Sequence, residues 1–244
     1  MTDDEPGAST AAQLGLDPLR LTDLRRRLGP VLDLLATDPA SLSSVRGPGR
    51  AWRVHVEDSL SGLELVGEPE RLADVGAGAG FPGLVLAAAL PTTRVDLIES
   101  VGRKAEFIDR AIVAAGLANA SVVALRSEDW ARAPHPDGGR EAYDAVTARA
   151  VGRMSTLAEL ASPLLREGGV LVAWKGRRDR DEEAELGRAG SRLAMEPAEI
   201  RPVGERAGSR HRHLHVVRKV GPTPEGLPRR PGIAKKRPYG RATG

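Results

Sequence analysis

The chain has 244 residues, 41% of them hydrophobic and 28% charged, with a formal net charge of +3, which fits one α/β domain plus a short appendage. It holds no cysteine, which excludes a thiolate nucleophile, a cysteine-ligated zinc site and an iron–sulfur cluster. No apolar run approaches the ~20 residues of a membrane helix, and the acidic start Met1-Thr2-Asp3-Asp4-Glu5 is unlike a signal peptide. These features lead to the expectation of a cytoplasmic protein without membrane or metal partners.

Residues 1–15 are small and polar and are expected to be disordered. From Pro18 to Ala36 the residues Leu19, Leu21, Leu24, Leu28, Val31, Leu32 and Leu35 recur at helical spacing, with a break expected at Gly29-Pro30. A Gly/Pro/Ser linker, Ser41 to Arg50, leads to a second helix over Arg53 to Val66. Residues 16–66 therefore read as an N-terminal helical cap.

Strands and helices alternate over residues 67–220. Strands are expected at Leu72–Val75, Arg94–Ile98, Ala120–Leu125, Tyr143–Thr147 and Gly169–Trp174. Helices are expected at Pro82–Leu90, Lys104–Ala115 and Arg153–Leu165, the first with proline in its opening turn and the second closed by Gly116. Segments near Ile200 and from Leu214 to Val217 read as a terminal hairpin. The alternation predicts a parallel doubly wound sheet. Residues 221–244 read as a basic tail. From Arg201 onward there are 12 Lys and Arg against two acids, Glu205 and Glu225, whereas the preceding residues hold 24 bases against 31 acids. A basic end on an acidic body suits a polyanionic partner.

The run Asp74-Val75-Gly76-Ala77-Gly78-Ala79-Gly80-Phe81-Pro82-Gly83 follows the first of these strands. Three glycines let the backbone turn tightly and approach a ligand closely at a helix start. Glu99, 21 residues after Gly78, ends the second strand about where an acid reaches ribose hydroxyls. The spacing also fits a dinucleotide site, so an NAD-binding protein is the rival reading. Asp74 favours S-adenosylmethionine, since a carboxylate there suits the cationic methionine amine and is idle beside a pyrophosphate. The chain also lacks room for a separate catalytic domain.

Among methyl transfers, attack at pyrimidine carbon 5 needs the missing cysteine. Thr147-Ala148-Arg149-Ala150 stands where an Asn/Asp-Pro-Pro-aromatic loop would serve exocyclic amines. Guanine N7 already offers a lone pair, so transfer to it needs alignment and no base. Aromatic content of 3% argues against a base-stacking platform, although Trp52 and Trp174 suit either stacking on a flipped guanine or core packing.

To these residues are added Glu99-Ser100-Val101-Gly102-Arg103-Lys104, Arg126-Ser127-Glu128, Thr147-Ala148-Arg149-Ala150-Val151, Lys175-Gly176, Pro228-Arg229-Arg230-Pro231-Gly232 and Lys235-Lys236. From about Leu34 to the end, the chain resembles the bacterial small-subunit rRNA guanine-N7 methyltransferases of the glucose-inhibited division protein B type. Trp52 to Ser59 approximates that family's His-x-x-Asp-Ser segment. The resemblance implies a Rossmann-like class I S-adenosylmethionine methyltransferase sheet and a methyl transfer to guanine N7 of 16S ribosomal RNA or the small ribosomal subunit; a monomer is expected. It implies cofactor contacts at Gly76, Phe81, Ser127, Glu128 and Arg149 and a ribose-binding role for Glu99, alongside Asp74, Gly78 and Gly80 from the turn itself. Arg149 and Lys175 become candidate catalytic residues, and His55, Arg229, Arg230, Lys235, Lys236 and Arg237 candidate RNA contacts. Another RNA or a small molecule stands as the alternative methyl acceptor.

Overall fold

The computed structural model describes residues 16–39, 42–204 and 211–241. The segment expected to be disordered, 1–15, lies outside these. Helix α1, Pro18–Thr37, starts where the Asp17 carboxylate accepts the backbone N–H groups of Leu19 and Arg20, satisfying donors that a helix start leaves open. It runs unbroken through Pro30, contrary to the expected break. Pro30 lies on the exposed side, so it costs one backbone hydrogen bond there, while the buried stripe Leu21, Leu24, Leu28, Val31, Leu32 and Leu35 holds both halves down.

The expected linker is partly helical. Helix α2, Pro48–Ala51, continues into a π-helical stretch, Trp52–Glu57, then α3, Asp58–Leu60, and α4, Leu63–Val66. Seven strands follow in one sheet: β1 Arg71–Val75, β2 Arg94–Ile98, β3 Ala120–Val123, β4 Tyr143–Arg149, β5 Leu165–Lys175, β6 Met195–Pro202 and β7 His213–Lys219, in the order β3-β2-β1-β4-β5-β7-β6. The connecting helices are α5 Gly83–Ala89, α6 Gly102–Ala115, α7 Ser127–Trp130, α8 Met154–Ala161 and α9 Arg180–Leu193, with α10, Ile233–Lys236, in the C-terminal segment. Strands β1 to β5 are parallel, but β7 inserts antiparallel between β5 and β6. The last two strands thus pair as expected, and the sheet as a whole is mixed.

Alternation along the strands divides the core into two layers. Leu72, Leu97, Ala145, Val172, Trp174 and Leu214 face α1, α5, α6 and the helical stretch 48–66. Ala73, Ile98, Val146, Leu171, Ala173 and Val217 face α8 and α9. The leucines of α1 share one cluster with Leu84 and Phe107, so the N-terminal helices form part of a sandwich layer. Helix α9 was not foreseen in the sequence. Asp179 caps it, three acids follow in its first turn, and Leu186, Ala189 and Leu193 are buried. Among the described residues, no helix is long and apolar enough to cross a membrane.

Candidate functional site

Strands β2 and β4 flank β1 on opposite sides, and their crossovers leave in opposite directions, which opens a crevice at the carboxyl ends of β1 and β4. A cavity of about 460 Å³ lies there, lined among others by Gly76, Glu99, Ser127, Glu128 and Val151, and by Gly232, Ala234 and Lys235 of the C-terminal segment. Gly76, Gly78 and Gly80 have φ of 66°, 63° and 85°, the left-handed region in which only glycine is unstrained. A side chain at Gly80 would also meet Leu84 Cδ1 at 2.3 Å. Glu99 braces the turn from the cavity wall. Its Oε2 accepts the Gly78 N–H and its Oε1 the Val101 N–H, each at 2.9 Å. Ser127 is buried, and Glu128 Oε1 accepts the Gly232 N–H at 2.8 Å.

Asp74 is placed differently from the sequence reading. It is fully buried beneath the turn and is not among the cavity-lining residues. Its Oδ2 accepts the Gly83 N–H and its Oδ1 the Thr147 hydroxyl, both at 2.9 Å. Burial raises its pKa to about 7, although the bonds from Gly83 and Thr147 pull the other way. Asp74 therefore anchors the start of α5 to β4. Gly80 and Phe81 likewise are not among the cavity-lining residues, while Gly76 is.

Arg149 and Phe81 come together with His55 on the other side of the turn. The Arg149 guanidinium lies 5.6 Å over the Phe81 ring and donates to Val54 O at 3.2 Å and to Asp58 Oδ2 at 3.1 Å. Arg212, from the start of β7, meets the same Asp58 oxygen at 3.1 Å. The His55 ring stacks on Phe81 at 4.7 Å between centroids. His55 is only 8% exposed, so it is not a surface contact. Burial, and then the charges of Arg149 and Arg212, push its pKa down to about 4, which makes it neutral at pH 7. The sequence reading assigned no role to Asp58 or Arg212. The approximate His-x-x-Asp-Ser match was the one signal for Asp58, and nothing pointed to Arg212. Trp174 packs in the core and donates to Asp58 O at 2.7 Å.

Lys175 is drawn into a support. Its Nζ donates to Glu182 Oε1 and to Gly152 O, both at 2.6 Å, tying the cavity-lining loop 150–152 to α9. The C-terminal segment is likewise built into the body. Arg229 makes two bonds to the buried Glu159, at 2.6 and 2.5 Å, and lies 4.0 Å from the Tyr239 ring. Thr156 donates to Ala234 O at 3.2 Å, and Arg188 to Gly240 O at 2.7 Å. The segment is thus a strap across the cavity. Its exposed cations are Arg230, Lys235, Lys236, Arg237 and Arg241.

The sheet order, the antiparallel β7 and the cavity beside the glycine turn define the fold of the S-adenosylmethionine-dependent methyltransferases. A solved methyltransferase of that kind from Aquifex aeolicus superposes with a TM-score of 0.56 at 18% identity, covering 75% of this chain and 99% of that one. A mutant of MtNAS in complex with S-adenosylmethionine superposes with a TM-score of 0.52 at 14% identity, covering 88% and 80%. The chain belongs to the GidB family, rRNA small subunit methyltransferase G, whose model matches residues 34–214. The ribosomal RNA small subunit methyltransferase G of Desulfitobacterium hafniense (strain Y51) is 38% identical over 201 residues, 82% of each chain. That of Roseiflexus castenholzii (strain DSM 13941 / HLO8) is 43% identical over 199 residues, covering 81% of this chain and 83% of its own.

Proposed function

We propose that this protein transfers a methyl group from S-adenosylmethionine to N7 of a guanine in 16S ribosomal RNA. The observation that carries the reading is the switch-point cavity, walled by the glycine turn, Glu99 and Ser127-Glu128, in a chain of this family. The residues fit the cofactor. Each Glu99 oxygen takes one backbone N–H, which leaves lone pairs to accept a ribose hydroxyl pair. Gly76 leaves backbone at the wall, and Ser127 with Glu128 offers polar groups to an adenine ring. When bound, the cofactor would supply an electrophilic methyl group on a cationic sulfur, and the acceptor would be the lone pair of guanine N7.

Because N7 carries no proton, the chain's task is to hold and orient, and a site without a neutral-pH base is sufficient. Arg149 and Lys175 act as positioning residues on this reading. Arg149 packs Phe81 against the turn, and Lys175 fixes the 150–152 loop. Arg230, Lys235, Lys236 and Arg237 are the phosphate contacts, while Arg229 and His55 leave that set because each is committed inside the fold. The test is nucleoside mass spectrometry of treated small-subunit RNA, paired with a substrate carrying 7-deazaguanine at the modified position. A 7-methylguanosine signal that vanishes with the deaza base is expected. A methyl group on ribose, or one that persists on the deaza base, would refute the reaction.

A further inference from the structure

The two ends of the sheet treat their cations differently. At the amino ends of the parallel strands, Arg71 is neutralised by Asp96 at 2.9 Å and Arg166 by Asp144. At the carboxyl ends, on the side of the glycine turn away from the strap, exposed arginines lack such partners. Residues 39–56 contain Arg46, Arg50 and Arg53 and no acid. Arg50, Arg53 and, just after β5, Arg177 are exposed and form no ion pair among the described residues. The charge of Arg53 acts on Glu57, a half-buried acid one turn on, without pairing to it.

Register and hydrogen bonds gather these groups beside the cofactor turn. Lys175 of β5 pairs with His213 of β7, so Arg177 leaves one strand at the corner where Arg212 enters the other. His213 Nδ1 lies 3.2 Å from Gly176 O at that corner. Arg212 reaches Asp58 Oδ2 at 3.1 Å, an oxygen it shares with Arg149, so one buried carboxylate serves two guanidinium groups. Arg149 in turn donates to Val54 O at 3.2 Å, next to Arg53, and His55 stacks on Phe81 of the turn. A Cβ on Gly49 would lie 3.8 Å from Arg53 Nη1, so the Arg53 side chain folds back against α2, which carries Arg50. Acids beside Arg177 are already engaged: Asp179 caps α9 and Glu183 holds Arg178. The surface from α2 past Arg212 to Arg177 therefore carries an excess of positive charge.

We infer that Arg50, Arg53 and Arg177, with Arg212 behind them, form a second phosphate-binding surface that holds the RNA across the glycine turn from the strap. A nucleic-acid backbone is the occupant this surface fits. Its repeated single charges match spaced guanidinium forks, and each contact releases counterions. The placement also suits the reaction. The strap fixes the strand on one flank of the target nucleotide, and a surface on the far side of the turn fixes the other flank, which supplies the alignment the transfer depends on. The inference rests on the reading that the methyl acceptor is an RNA, and it is independent of which atom receives the methyl group.

The test measures binding of a single-stranded small-subunit RNA fragment to the full-length protein over a range of salt concentrations. Combining Arg50→Gln, Arg53→Gln and Arg177→Gln should flatten the log–log slope by about 2, at about 0.7 per lost contact, and lower affinity about tenfold or more near physiological salt. Calorimetric affinity for S-adenosylhomocysteine should stay within about twofold, which reports that the variant is folded. Arg94→Gln, exposed and unpaired at the opposite end of the sheet, removes a like charge and should leave the slope as it is. Neutral methylphosphonate linkages on one side of the target nucleotide should abolish the effect of the triple variant and spare that of Lys236→Ala with Arg237→Ala; on the other side the reverse is expected. An unchanged slope in the triple variant, or an equal loss per charge from Arg94→Gln, would overturn the surface. Both sets of variants responding to the same flank would overturn the two-sided grip. Absence of salt-dependent RNA binding by the wild-type chain would refute the RNA reading itself, whereas these slopes with methylation at an atom other than N7 would refute only the reaction proposed above.

Discussion

Replacing Arg229 by methionine separates the strap that walls the cavity from the basic tail expected from composition. Arg229 is 20% exposed and its partner Glu159 is 3% exposed, and the two share a two-point contact. Removing one partner of a buried pair typically costs about 3–5 kcal/mol, because it leaves the other charge buried and alone. Here the strap is able to lift and let water reach Glu159, so the expected cost falls below that range, at about 2–3 kcal/mol. With every 1.4 kcal/mol equal to a factor of ten, the strap should open about 30- to 150-fold more often. Hydrogen exchange at the Gly232 amide, which is bonded to Glu128, reads that opening directly. Affinity for S-adenosylhomocysteine, measured by calorimetry, should fall with it, since Gly232, Ala234 and Lys235 line the same cavity. Adding Glu159→Leu removes the stranded carboxylate and should return most of the protection. If exchange and cofactor affinity stay at wild-type values while the salt dependence of RNA binding flattens, Arg229 is a phosphate contact and the strap argument is wrong.

The exposed strap cations should behave in the opposite way: Lys236→Ala with Arg237→Ala should flatten the log–log salt dependence of single-stranded RNA binding by about 0.7 per lost contact and leave calorimetric cofactor affinity unchanged. Gly78→Val should weaken binding of the demethylated cofactor by about 5- to 150-fold, because φ of 63° strains a branched residue by about 1–3 kcal/mol in the turn that Glu99 holds. Asp74 titrates near pH 7 in the folded chain against about 3.9 when unfolded. Between those values the folded state holds the extra proton, so this group's contribution to stability is full at low pH and is lost as pH rises through 7, by at most about 1.4 kcal/mol per pH unit. Asp74→Asn keeps partners for Gly83 and Thr147 and should remove that slope in urea unfolding measured at pH 5 and pH 8. An unaltered slope would show that Asp74 is ionised in the fold.

Periodicity made most of the sheet layer legible and left the connections less so. The five parallel strands were found because apolar runs such as Leu72 to Val75 and Arg94 to Ile98 end in turns or helix starts. Pro30 misled, because local propensity is weak against a stripe of six buried residues in α1. Helix α9 was missed because Glu182 and Glu185 lie on its buried side, where Lys175, the Met154 N–H, Arg153 and Ser155 satisfy them. A helix whose buried face carries paired carboxylates shows a diluted apolar period, although its Asp179 cap was readable.

The site divides along the same physical line. The turn geometry at Gly76, Gly78, Gly80 and Glu99 was legible because the backbone confines it: positive φ demands glycine, and a strand end beside the turn invites an acid that can brace it. Charge proved a poorer guide, because a formal charge carries no information about its partner. Asp74 looked free to meet a cationic ligand, yet its carboxylate is fully buried, where it holds the Gly83 N–H and the Thr147 hydroxyl. Lys175 and Arg229 looked like groups for an RNA, yet Glu182 and Glu159 hold them. Both acids lie on α8 and α9, inside the stretch whose charge balance reads as an acidic body. The segment from Arg201 onward is basic partly because it packs against that body: Arg229 meets Glu159, the Gly232 N–H meets Glu128 and the Thr223 N–H meets Glu141. A charge asymmetry along a chain therefore has two sources, an external polyanion and an internal fit, and here the same strap carries both, with Arg229 turned inward and Arg230, Lys235, Lys236 and Arg237 left facing out.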